Sequence, residues 1–169
     1  MIVDSPYNFL GLALSPKIGI IAGILSAGVM LAVVSVCEPI STISVIQVLS
    51  KISLMIIPGP FGPTYGRSNL IIGLIMHLIL GGIFGLLYAM CQKSIPNRGL
   101  IGVGIFYGFV LWVVSSLLIG LLLTETVRVF LRSWAWLVAN LVYGLCLAGM
   151  SIWSLKKQTS SSGTIVPVD

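Results

Sequence analysis

Hydrophobic positions fall in four uncharged blocks, Ile18–Val36, Ser68–Gln92, Gly99–Thr124 and Ser133–Leu155, separated by segments that carry all of the charged side chains. Each block approaches or exceeds the roughly 20 residues an α-helix needs to cross about 30 Å of hydrocarbon. Between Leu70 and Cys91 there are 12 Leu, Ile or Phe residues. At about −0.3 to −0.6 kcal/mol each they contribute roughly −4 to −7 kcal/mol toward insertion, enough to carry the histidine in that block. The pattern predicts membrane-spanning helices over about 18–36, 69–92, 99–123 and 133–155.

The few polar and small residues inside the blocks repeat. In the second block His77 is followed by Gly81, Gly85 and Tyr88; in the fourth Asn140 is followed by Gly144, Ala148 and Ser151. Both series mark one face of a helix. The odd-numbered blocks join in, with Gly19 and Gly23 in the first and Gly104 and Gly108 in the third. Two tandem helical hairpins follow, spans one and two against spans three and four. The first helices align 85 residues apart and the second helices 63 residues apart, so that Asn140 is the counterpart of His77. An even number of crossings per unit gives both copies the same orientation.

Small residues every fourth position (Gly19/Gly23/Ala27, Gly81/Gly85, Gly104/Gly108, Gly144/Ala148) predict close helix packing. Lipid offers no hydrophobic drive between helices, so backbone approach must supply the attraction. A glycine face not used internally would suit a homodimer.

The connections differ. Residues 1–16, broken by Pro6 and Pro16, read as an interfacial lead-in. Ile40–Ile57 is rich in Ile, Val and Ser but carries Lys51 at its middle, which predicts an interfacial or re-entrant helix packed on the bundle. Pro58-Gly59-Pro60-Phe61-Gly62-Pro63 cannot continue a helix and reads as a stiff turn, or else as a lid over a cavity. Pro96 and Asn97 make a tight second connection. Glu125, Arg128 and Arg132 suggest a short helical turn in the third. Residues 1–157 form one transmembrane domain on this reading, and the polar segment 158–169 a disordered tail.

Composition agrees: 57% of residues are hydrophobic and 8% charged, against roughly a quarter charged in soluble domains. The net charge of +5 does not point to nucleic acid, because the basic residues sit at span ends. Lys17, Lys93, Arg98, Lys156 and Lys157 gather on the side of the termini, and Lys51, Arg67, Arg128 and Arg132 on the other. That asymmetry favours cytoplasmic termini in a cell (inner or plasma) membrane, with lipid headgroups as the partners of the charges. Cys37, Cys91 and Cys146 read as small packing residues. Val36 is bulkier than lipoprotein processing before Cys37 normally takes, so the first span is read as retained. Trp112, Trp134, Trp136 and Trp153 read as interface anchors.

His77 is the chemically distinctive residue. An imidazole at membrane depth needs a polar partner, and Asn140 is the candidate. One reading makes the pair a clasp between spans two and four; the other makes it a midplane binding site, with Tyr88 and Ser151 as further lining. No carboxylate accompanies His77 within a span, and no phosphate loop or metal cluster stands out. An enzyme is therefore not expected, nor a cofactor.

From about Leu70 to Trp153 the runs GLIMHLILGGIFGLLYA, GIFYGFVLWVV and WLVANLVYGLCLAG resemble a bacterial and archaeal family of small four-span integral membrane proteins of unknown function. In that family a histidine followed by glycines at plus four and plus eight opens the second span, and His or Asn with the same glycines recurs in the fourth. The features land on His77, Gly81, Gly85, Asn140 and Gly144. The resemblance implies a fold and a location but no activity. The long first loop departs from the family pattern.

The expectation is thus an all-α four-span bundle of two hairpin repeats, with an interfacial segment between spans one and two. Its leading functional reading is a non-enzymatic structural or accessory protein acting through helix–helix contacts, on itself or in a larger membrane complex. The alternative is a small transporter or ligand-binding unit with its site at His77 and Asn140.

Overall fold

The computed structural model describes residues 15–37, 44–56, 67–92, 99–119 and 125–161. In chain order they form α1 (Pro16–Cys37), α2 (Val45–Ile56), α3 (Arg67–Gln92), α4 (Leu100–Val114), α5 (Glu125–Leu131) and α6 (Trp134–Ser161), with α4 running on into a π-helical turn, Ser115–Ile119. Four stretches are long and apolar enough to cross a membrane: Pro16–Cys37, Asn69–Gln92, Leu100–Leu117 and Trp134–Lys157. The chain is a multi-pass membrane protein surrounded by lipid. The expectations for the lead-in before Ser15, the Pro58–Pro63 turn, the 93–98 connection and the tail beyond Ser161 fall outside the described residues.

Local chemistry sets the helix starts. Pro16 stands at the first position of α1, where its missing N–H costs nothing, and Gly19 N–H bonds back to Ser15 O at 2.9 Å. Ser44 Oγ accepts from Ile46 N–H at 3.2 Å to begin α2, and Ser133 Oγ accepts from Trp136 N–H at 3.2 Å to begin α6. Both serines act as N-caps, satisfying donors that the first turn cannot.

The helices pair as two hairpins, α1 on α3 and α4 on α6. The hairpins join mainly through α1 against α6, and α2 lies along α3 and touches α5. Residue size is distributed opposite to a soluble core. Ile21, Leu25, Ile75, Ile79, Ile105 and Phe109 face outward, while glycines and alanines line the helix contacts. A Cβ on Gly19 would stand 2.6 Å from the Ala89 Cβ and 2.9 Å from Gly85 O. One on Gly104 would stand 2.5 Å from Gly144 O and 2.7 Å from the Ala148 Cβ. At such distances backbone itself would have to move.

These contacts correct the register of the repeat. Gly19 faces Gly85 and Ala89, and Gly104 faces Gly144 and Ala148; Gly23 faces the Gly81 carbonyl, and Gly108 faces that of Asn140. With Gly19 and Gly23 matched to Gly104 and Gly108, the structural counterpart of Gly85 is Gly144 and that of Gly81 is Asn140. The sequence alignment is therefore off by one turn in the second helices, and His77 corresponds to Trp136. The reason is aliasing: small residues spaced by four match themselves equally well one turn along.

Two elements depart from a plain four-span reading. The third span is not α-helical throughout: its α-helical part ends at Val114, where Ser115 N–H is shared between Leu111 O and Trp112 O. Ser115 Oγ donates to Trp112 O at 3.0 Å, and Ser116 Oγ to Leu131 O at 2.6 Å, which ties the π turn to α5. The segment between the first two spans forms α2, as the sequence led one to expect. It buries Val45, Val48 and Leu49, and it approaches α3 so closely that a side chain at Gly73 would overlap the Leu49 carbonyl.

Candidate functional site

Where α2, α5 and the π turn gather, the bundle does not close. A cavity of about 260 Å³ opens among α1, α2, α3, α4, α5 and α6. Its walls are mostly apolar, with Met30, Val34, Leu49, Phe84, Leu111 and Phe130 among them. Among the described residues, five polar side chains interrupt them: His77, Ser115, Trp136, Asn140 and Tyr143.

His77 and Asn140 share this cavity but do not bond to each other. His77 Nε2 lies 3.3 Å from Ala27 O, across to α1. Asn140 Nδ2 donates to Trp136 O, one turn back in its own helix, at 2.8 Å. The clasp between spans two and four is thus replaced by two separate attachments to main-chain carbonyls. Trp136, the true counterpart of His77, has its ring centroid 6.4 Å from that of His77 and 5.3 Å from that of Phe130. Its indole Nε1–H donates to Ser115 Oγ at 3.1 Å. Trp136 is therefore a wall residue, not the interface anchor its position near a span end suggested. Trp134 and Trp153 are exposed, and Lys157 Nζ lies 5.6 Å from the Trp153 ring centroid.

The links between hairpins come from tyrosines the sequence reading passed over. Tyr143 Oη donates to Gly81 O and Tyr107 Oη to Phe84 O, both at 2.7 Å. Both acceptors belong to the stretch of α3 where Gly81, Gly82 and Gly85 leave the helix carbonyls uncovered. The available signal was simple: a phenol deep in an apolar span must find an acceptor.

Tyr88 and Ser151 lie elsewhere, outside the cavity wall and packed at 1% and 0% exposure. Tyr88 meets Tyr107 edge-on, with centroids 5.2 Å apart, and Ser151 Oγ bonds back to Leu147 O at 2.8 Å. The four residues singled out from the sequence thus divide into a cavity pair, His77 with Asn140, and a packed pair, Tyr88 with Ser151. Cys91 is exposed, so it is not a packing residue, whereas Cys37 and Cys146 are half-buried.

Chemically, the wall offers hydrogen bonding and aromatic surface. Among the described residues no group of three His, Cys, Asp or Glu side chains comes together to hold a metal ion. No carboxylate, amine or guanidinium is found among the described lining residues.

Residues 15–162 fit the model of a family described as "Family of unknown function (DUF6789)". No curated protein and no solved structure matches the chain.

Proposed function

The chain belongs to this family of unknown function, and from that premise we propose that it is a non-enzymatic membrane protein that holds a lipophilic small molecule between its two hairpins. The cavity carries the reading. Its volume of about 260 Å³, its mostly apolar lining and its few convergent polar side chains are the features of a small-molecule site. His77 and Asn140 give an apolar site the few polar groups that orient a ligand.

The test is native mass spectrometry of the protein extracted gently from its own membrane, beside His77→Ala. A stoichiometric small molecule present in the wild type and depleted in the variant is the expected result. Bare protein in both would overturn the reading.

An accessory role through helix faces is the second reading. Gly28, Gly102 and Gly149 have nothing within 4 Å of an added Cβ, which leaves small-residue surface open to another helix. Recovery of a dimer or a membrane partner, disrupted by Gly102→Leu, would support it. For orientation we propose cytoplasmic termini, on the basic residues that flank them. Labelling of a cysteine introduced at Ser161 only after permeabilisation is the expected outcome.

A further inference from the structure

We propose that the occupant of the cavity is an uncharged, ring-sized lipophile bearing a hydroxyl group, and that the site discriminates against analogues able only to accept hydrogen bonds. The proposal rests on the ligand-binding reading above and specifies its chemistry. It follows from where the wall's hydrogens go. His77 Nε2 faces a carbonyl, which can only accept, so Nε2 carries the ring hydrogen. Tyr143 donates to Gly81 O, Asn140 to Trp136 O, Trp136 to Ser115 Oγ, and Ser115 to Trp112 O. All five polar side chains among the described lining residues thus direct a hydrogen at the protein itself.

By valence, what these side chains keep unspent is mainly lone pairs: Nδ1 of the neutral His77 ring, Oδ1 of Asn140 and the Ser115 and Tyr143 oxygens, against one remaining amide hydrogen on Asn140. Lone pairs in an apolar cavity favour a donor and repel a second acceptor, because a low local dielectric strengthens the match and the mismatch alike. A ketone, quinone or ether brings acceptors to acceptors. A carboxylate or phosphate brings negative charge to a wall with no cation among its described residues. A hydroxyl supplies the hydrogen the site lacks.

Size and shape narrow the class. A cavity of about 150 Å³ holds benzene, so about 260 Å³ suits a body of two fused rings and is too small for a tetrapyrrole. Phe84, Phe130, Trp136 and Tyr143 give it aromatic walls.

The experiment is equilibrium dialysis of three matched probes, 1-naphthol, 1-methoxynaphthalene and 1,4-naphthoquinone, against the full chain in nanodiscs, with protein-free nanodiscs as the blank. The expected result is one naphthol per chain, bound about fivefold to tenfold more tightly than the methyl ether, the difference one hydrogen bond makes. His77→Phe should lower that ratio while the ether still binds, which shows the cavity intact. If that variant does not fold, Asn140→Leu provides the second comparison, and the wild-type series alone is decisive. Equal binding of naphthol and ether, or tighter binding of the quinone, overturns the donor assignment and leaves the cavity as a ligand site. No saturable binding of any probe overturns the ligand-site reading itself.

Discussion

Single atoms decide how this bundle holds together. The Tyr143 hydroxyl joins the hairpins through Gly81 O, and that carbonyl keeps its place in the helix without it. Tyr143→Phe should therefore lower stability only modestly, by about 0.6–2 kcal/mol, measured by reversible unfolding in detergent. The glycines make a sharper contrast. A methyl at Gly144 would run into Gly104 O and Gly108 N, whereas one at Gly102 meets nothing within 4 Å. Gly144→Ala is expected to destabilise by about 1–3 kcal/mol, and Gly102→Ala to stay within about 0.5 kcal/mol, in the same assay. Both residues look alike in the sequence. What separates them is helical phase, and the four-residue stripe revealed that phase in advance: every packing glycine predicted from it lies at a helix contact.

Among elements, α2, α5 and the π turn shape the cavity that the spans alone would leave exposed. The Ser116 bond to Leu131 O fastens the π turn to α5. Removing it with Ser116→Ala should raise amide exchange in α5 at Val127–Leu131 by about fivefold to thirtyfold, the effect of about 1–2 kcal/mol. Exchange in α1 should not change. The sequence disclosed α2 through its apolar character around Lys51, and α5 through the spacing of Glu125, Arg128 and Arg132. It did not disclose the π turn, because Ser115 and Ser116 sit in a block whose hydrophobicity reads as uninterrupted helix. Nor did it place Trp136 in the cavity wall, because nearness to a span end and nearness to the membrane surface look the same along a chain.

For the molecule as a whole, two hairpins meet through α1 against α6, with two tyrosine bonds and two ring contacts between them among the described residues. Co-expressed fragments 1–95 and 96–169 are therefore expected to co-purify, and Tyr107→Phe together with Tyr143→Phe to reduce the recovered complex severalfold. The two-hairpin plan was legible because hydrophobic blocks and glycine stripes are local patterns. The pairing of His77 with Asn140 was not, since it depended on an alignment that a period-four stripe fits in two registers. That ambiguity reaches beyond alignment. Evenly spaced glycines work as the teeth of a rack, so α1 can seat on α3, or α4 on α6, only at stops four residues apart, about 6 Å. Halfway between stops, larger side chains would ride over one another. Lengthwise motion within either hairpin would therefore be a ratchet step between discrete states, and each step would carry His77 or Trp136 a full turn past the wall it now faces.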